Sequence, residues 1–179
     1  MAGNINFGFI GAKQAAPNLE YVDFYDDKLV LIAAPTKKFN ADIICVTDLL
    51  DEDIILREDG SGTRLLLEKA LATKKLDLSM FRSQSINDSL EAIKKMVSLD
   101  IGISFISSIA VQNEVALGQL KQYEVEDLVL SRPFSMVYST NRCLSPVEEK
   151  FKDFVVNWRW NAETVNNNIS LGTRQGWIT

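Results

Sequence analysis

The sequence predicts an α/β fold, and three observations carry the prediction. Short runs rich in Ile, Val, Leu and Phe alternate with segments whose apolar residues recur at helical spacing. The runs are closed by Gly, Pro or paired Asp. A composition of 46% hydrophobic and 24% charged residues is that of a globular protein, and 179 residues suit one ordinary domain or two small lobes sharing a core. Strands alternating with helices imply a largely parallel sheet.

The elements follow in order. Residues 4–10 alternate and end at Gly11, a first strand. Residues 19–25 and 28–34 read as two further strands, split at Asp26-Asp27, with Pro35 closing the second and a polar connector over 36–40. A short helix is expected over 46–50 and a strand over 53–56. The turn "LREDGSGTR" leads into a helix over 63–74, where Leu66 and Ala70, and Leu67 and Leu71, stand four apart and form a buried stripe. A strand precedes Ser85-Ile86-Asn87-Asp88, whose polar side chains can cap a helix over 88–98. That helix places Leu90, Ile93, Met96 and Val97 on one face. A buried strand at 102–106, a helix at 107–117 closed by Gly118, and strands at 120–125 and 134–138 follow. Ser145-Pro146 opens a last helix running to about residue 158, and the remainder reads as a polar, Asn-rich, irregular tail.

Composition excludes several functions. A net charge of −5, with Lys37-Lys38, Lys74-Lys75 and Lys94-Lys95 scattered as solvated pairs, gives no footprint for duplex DNA. Without histidine there is no Ser-His or Cys-His pair and no imidazole metal site. Cys45 and Cys143 are too isolated for a disulfide framework or a metal site, so neither cofactor nor metal is expected. No apolar run can span a bilayer and no signal peptide is visible, which points to a cytoplasmic protein without a membrane partner.

The candidate site is the turn of Gly60, Ser61, Gly62, Thr63 and Arg64. A strand, a glycine-rich turn and a helix start present backbone N–H groups toward an anion, with Ser61 and Thr63 able to add hydroxyl donors. It is neither a P-loop, lacking Gly-Lys-Ser/Thr, nor a dinucleotide fingerprint, lacking the third glycine. A plain turn that uses its glycines for geometry and Ser61 as an N-cap accounts for the same residues. Ser85 and Asn87 stand before a second helix start on the same expected sheet edge, where ligands of open α/β sheets collect; capping accounts for them too.

Five segments in register, "GNINFGFIGA", "DKLVLIAAP", "IILREDGSGTR", "SLEAIKKMVSLDIGISFIS" and "FSMVYSTNRCLSPVEEKFKDFV", resemble the effector-binding domain of LysR-type transcriptional regulators, especially members related to the cysteine-biosynthesis and Calvin-cycle regulators. The resemblance covers residues 3–158. It implies a type II periplasmic-binding-protein-like fold of two α/β lobes joined by two crossing strands, near residues 31–36 and 134–139. Lobe I would comprise 1–35 and 134–160, and lobe II 36–133, with an irregular tail at 161–179. It further implies an effector between the lobes, met by the helix start at Ser61 to Arg64 and the loop at Ser85 to Asn87, and a homo-oligomer, expected to be a dimer. The helix-start donors make a small anion the expected effector, with Gly60, Ser61, Gly62, Thr63, Arg64, Ser85 and Asn87 as its candidate site. DNA would be contacted only through a helix-turn-helix that is not in this chain.

The sequence departs from the family's pattern at its start. Nothing like the helix-turn-helix and linker helix precedes Gly3, and the chain opens at what would be the third strand of the first lobe. A truncated, incomplete first lobe is therefore expected, from an engineered fragment or a shortened gene. Two other classes share the fold. A transport receptor would carry an export signal, and a prephenate dehydratase would carry Thr-Arg-Phe where this chain has Thr63-Arg64-Leu65; catalysis is not expected.

Overall fold

The computed structural model describes residues 6–13, 16–39 and 44–157. In chain order the elements are β1 (Phe7–Ile10), β2 (Leu19–Ala33), a 3-10 turn (Val46–Leu49), β3 (Asp53–Arg57), α1 (Gly62–Thr73), a 3-10 turn (Leu78–Met80), β4 (Ser83–Asn87), α2 (Leu90–Ser98), β5 (Ser104–Ser107), a 3-10 turn (Ser108–Val111), α3 (Gln112–Ala116), β6 (Lys121–Tyr123), β7 (Ser131–Ser139) and α4 (Pro146–Asn157). The expected tail at 161–179 and the first residues of the expected opening strand lie outside the described residues.

β2 organises the molecule. Residues 19–28 pair antiparallel with β7, and residues 29–33 pair antiparallel with β5 and β6. The strand thus passes from one sheet to the next near Lys28–Leu29, and its side chains change accordingly. The first part is exposed or partly exposed except for Asp27, while residues 29–33 are all buried. A run buried throughout is a strand covered on both faces. Leu29, Leu31 and Ala33 pack into one cluster with Leu67, Ala70 and Leu71 of α1. Val30 and Ile32 point the other way, to Ile93 and Val97 of α2. β3 repeats the pattern: Ile54 and Leu56 face α1, and Ile55 faces α2.

The pairing differs from the parallel sheet expected from alternation. β1, β7, β2, β5 and β6 are joined antiparallel, and the parallel pairings are β3 with β4 and single bridges at Ile54–Ile103 and Ile44–Val125. The reason is that β2 and β7 are long neighbours contributed by segments about a hundred residues apart, which local periodicity does not report. Asp26-Asp27 likewise form no turn. Asp27 continues the strand opposite Arg132, because its buried carboxylate finds partners there. The strand irregularity falls instead between Asp23 and Tyr25, where the register shifts by one residue.

Gly102 lets β3 and the entry to β5 meet. Ile103 N–H donates to Asp53 O and Ile55 N–H to Ile103 O, both at 2.8 Å. A Cβ on Gly102 would stand 2.5 Å from Asp53 O. The helix expected over 107–117 is broken into the 3-10 turn and the short α3, and Gly118 closes it at φ +67°. Around β1, β7 and α4 a smaller cluster forms from Met136, Tyr138 and Val155, with Phe7, Val22, Phe24 and Leu144 against it.

Candidate functional site

β3 delivers the chain at Arg57 to the turn 58–61. Ser61 N–H bonds Glu58 O at 3.2 Å, and Gly60 takes φ +82°, the left-handed region where a Cβ is strained. Ser61 holds the N-cap position of α1 with extended backbone, but its hydroxyl makes no cap hydrogen bond. Leu65 N–H reaches back to Ser61 O at 2.9 Å. The N–H groups of Gly62, Thr63 and Arg64 precede that bond and have no intrahelical acceptor, at the positive end of the helix dipole. Arg64 is drawn back along its own helix, Nε bonding Glu68 at 2.8 Å and Nη1 lying 2.9 Å from Asp59. The second contact has ion-pair distance without hydrogen-bond alignment.

Arg132 of β7 crosses to this helix start. Its Nη2 donates to Thr63 Oγ1 at 3.1 Å and its Nε to Asp27 Oδ2 at 3.3 Å. Asp27 also accepts from Ser107 Oγ at 2.5 Å, at the end of β5. The guanidinium carbon stands 5.3 Å from the centre of the Phe134 ring, and Phe134 in turn stacks on Tyr25. Nη1 is buried and has no hydrogen-bond partner among the described residues. Two glycines make room for this side chain. A Cβ on Gly62 would come 2.8 Å from Nη1, and one on Gly11 would come 2.9 Å from the guanidinium carbon.

Two cavities flank Arg132. One, of about 330 Å³, is lined by Arg57, Thr63, Ser107, Ile109, Arg132 and Phe134, among others, and lies at the carboxyl ends of β3 and β5. The other, of about 250 Å³, is lined by Gly11, Lys13, Gly62, Lys69 and Arg132 with apolar neighbours. Arg57 is held by a two-pronged contact to Glu58 at 2.8 and 2.9 Å, and the guanidinium holds the Glu58 carboxyl below its ordinary value. Lys13 does the same to Asp23, with Ser135 helping.

Of the residues singled out from the sequence, the structure brings Gly62 and Thr63 to the cavities. Gly60, Ser61 and Arg64 build the turn behind them and do not line either cavity. Asn87 pairs with Arg57 in the β3–β4 register, but its Oδ1 accepts from Ser89 N–H at 2.8 Å, a local turn before α2. The side chain that caps α2 is Ser89, not Ser85 or Asn87. Ser85 lies exposed on β4 opposite Ile55. Sequence reasoning missed Arg132, Asp27, Ser107 and Arg57. An arginine directly before Pro133 in an acidic chain was the available signal for Arg132; Asp27 gave none, since an Asp pair reads as a turn. Among the described residues no group of acidic, Cys or His side chains is placed to hold a metal, and no helix is long and apolar enough to cross a membrane.

Two packed regions sharing the long strand β2, with cavities beside Arg132 where β2 changes partners, define a ligand-binding domain of the type II periplasmic-binding-protein-like class. The chain belongs to the LysR substrate binding domain family, whose model matches residues 1–160. It is similar to a probable RuBisCO transcriptional regulator of Nostoc sp., 25% identical over 158 residues that cover 86% of this chain and 47% of that protein. It is also similar to the HTH-type transcriptional activator CmpR of Synechocystis sp., 30% identical over 150 residues covering 82% and 48%. Among solved structures, the regulatory domain of Synechocystis CcmR in complex with 2-PG superposes with a TM-score of 0.75 at 25% identity, covering 89% of this chain and 76% of that one. The chain spans about half the length of these curated relatives.

Proposed function

We propose that this chain is the effector-sensing part of a LysR-type transcriptional regulator, and that it takes a small anionic metabolite between its lobes. The observation that carries the reading is the meeting of Arg132 Nη1, buried and unpartnered, with the open start of α1 at Gly62 and Thr63. Thr63 Oγ1 accepts from Arg132 and so keeps its own hydrogen to donate. The N–H groups of the first turn supply further donors, and Arg57, paired with Glu58, lines the larger cavity. Gly60 and Ser61 shape the turn and Arg64 holds it to α1.

The intact regulator would contact DNA through another domain and act as a homo-oligomer in the cytoplasm. Effector binding would shift the balance between lobe arrangements and thereby the geometry on DNA. This role involves no catalytic step. Calorimetry with sulfate, phosphate, small carboxylates and 2-PG, the compound bound by the Synechocystis relative, tests the reading. Thr63→Ala removes one hydrogen bond to a charged group, about 1.5–3 kcal/mol or at least tenfold in affinity, and leaves the fold intact. Equal binding by parent and variant contradicts an anion site at this helix start.

A further inference from the structure

Asp27 is fully buried, a carboxylate inside the wall of the proposed anion site. It lies next to the point where β2 changes sheets, in register with Arg132. One oxygen accepts from Arg132 Nε and the other from Ser107 Oγ. Arg132 is itself only 11% exposed, so water screens the pair weakly. The arginine that would meet a ligand therefore comes with its charge already balanced, while the hydrogen-bonding face at Nη1 is left over.

We propose that Asp27 is the resident counter-ion of the cleft and sets which anions it accepts; the inference rests on the effector reading above. Because Asp27 bonds Nε and leaves Nη1 unpartnered, a ligand is not obliged to displace it. The ligand binds beside it and meets its charge. A monoanion meets that repulsion once and a dianion twice, so the site selects small, singly charged ligands, or ligands whose second charge is placed away from Arg132. Ser107 strengthens the selection, since its hydroxyl bonds the other carboxylate oxygen and holds Asp27 in place beside Arg132.

The test compares acetate with sulfate by calorimetry on the full chain and on Asp27→Asn, which keeps the shape and removes the charge. The expected result is tighter binding of both, on the order of tenfold for acetate and a hundredfold for sulfate, the ratio between them changing by at least tenfold. An unchanged acetate-to-sulfate ratio overturns the counter-ion role while leaving the anion site standing. No binding of either anion by parent or variant overturns both. Should Asp27→Asn fail to fold, Ser107→Ala keeps both charges and removes the hydrogen bond that holds Asp27 in place. The acetate-to-sulfate ratio is expected to change by about threefold, and an unchanged ratio overturns the counter-ion role.

Discussion

The sheet around β3 and β5 and the sheet around β1 and β7 share β2 yet are built to different standards. The first is covered on both faces, by α1 and α2, and its large side chains at Leu31, Ile32, Leu49, Leu71, Ile93 and Val97 are wholly buried. The second rests on a cluster whose buried members are Met136, Tyr138 and Val155. Aromatic residues continue outward from that cluster into solvent: Phe9 is 54% and Phe154 61% exposed, and Phe151 touches both Phe7 and Phe9. Stability in such a molecule is uneven. The first region can hold its shape by its own packing, whereas the second takes its order from the long β2–β7 pairing and from whatever covers its apolar face. The candidate site lies at the seam, with Thr63, Arg57 and Ser107 on the well-packed side, Arg132 and Phe134 on β7 of the other, and Asp27 on the shared strand β2 between them.

The largest expected effect is in the first region. Leu71→Ala leaves a cavity among side chains that cannot collapse into it and should cost about 2–5 kcal/mol in urea denaturation, with Met136→Ala, in the smaller cluster, at the low end of that range. A larger loss at Met136 would reverse the ranking of the two cores. Gly102→Ala comes next. Its Cβ has backbone, not a flexible side chain, in the way at Asp53 O, so the β3–β5 junction must shift, at about 1–3 kcal/mol. Wild-type stability in this variant would show that the junction is looser than the close approach implies.

These two predictions concern parts that the sequence displayed unequally. The buried stripes of α1 and α2 were legible because Leu67, Ala70, Leu71, Ile93 and Val97 stand at helical spacing, and the helix starts fell within two residues of the expected positions. Gly102 at the head of a buried strand was visible, though not the carbonyl that requires it. The second region was harder. Residues 19–33 form one strand whose middle, Asp26-Asp27, looks like a turn because its partners Arg132 and Ser107 come from 80 to 105 positions away. The site was half legible for the same reason. The glycine-rich turn advertised Gly62 and Thr63, while the arginine that faces them is brought in by strand pairing alone.

The exposed face of the second region gives a smaller effect. β1 lies at the end of its sheet and pairs, among the described residues, with β7. Its outward Phe9 joins Phe151 and Phe24 in an apolar patch beside a strand edge that is unpaired among the described residues. The chain is expected to self-associate through this face, and Phe9→Lys to shift it toward monomer in size-exclusion with light scattering at tens of micromolar. A monomeric parent would mean that the patch is tolerated in water.

The smallest effect is electrostatic and belongs to the first region. Asp53 accepts from Arg82 and Ser83 across the β3–β4 pair, and chiefly the Arg82 contact lowers its carboxyl from 3.8 to about 2. A lowered folded value adds stability above pH about 4 that is lost as pH falls toward 2. Acid unfolding of Asp53→Asn should therefore lack this slope, while the two proteins converge in the most acidic solutions. Parallel acid curves would assign the pair no role in holding β4.

The central claim is that an anion binds at the seam, against Gly62, Thr63 and Arg132. Amide chemical shifts of the 15N-labelled chain, followed as acetate is added at constant ionic strength, test it most directly. The account predicts saturable shifts concentrated at the backbone N–H groups of Gly62, Thr63 and Arg64, with the Arg132 guanidinium resonances moving at the same ligand concentration. Shifts spread evenly over the surface lysines, with the first turn of α1 silent, would contradict it.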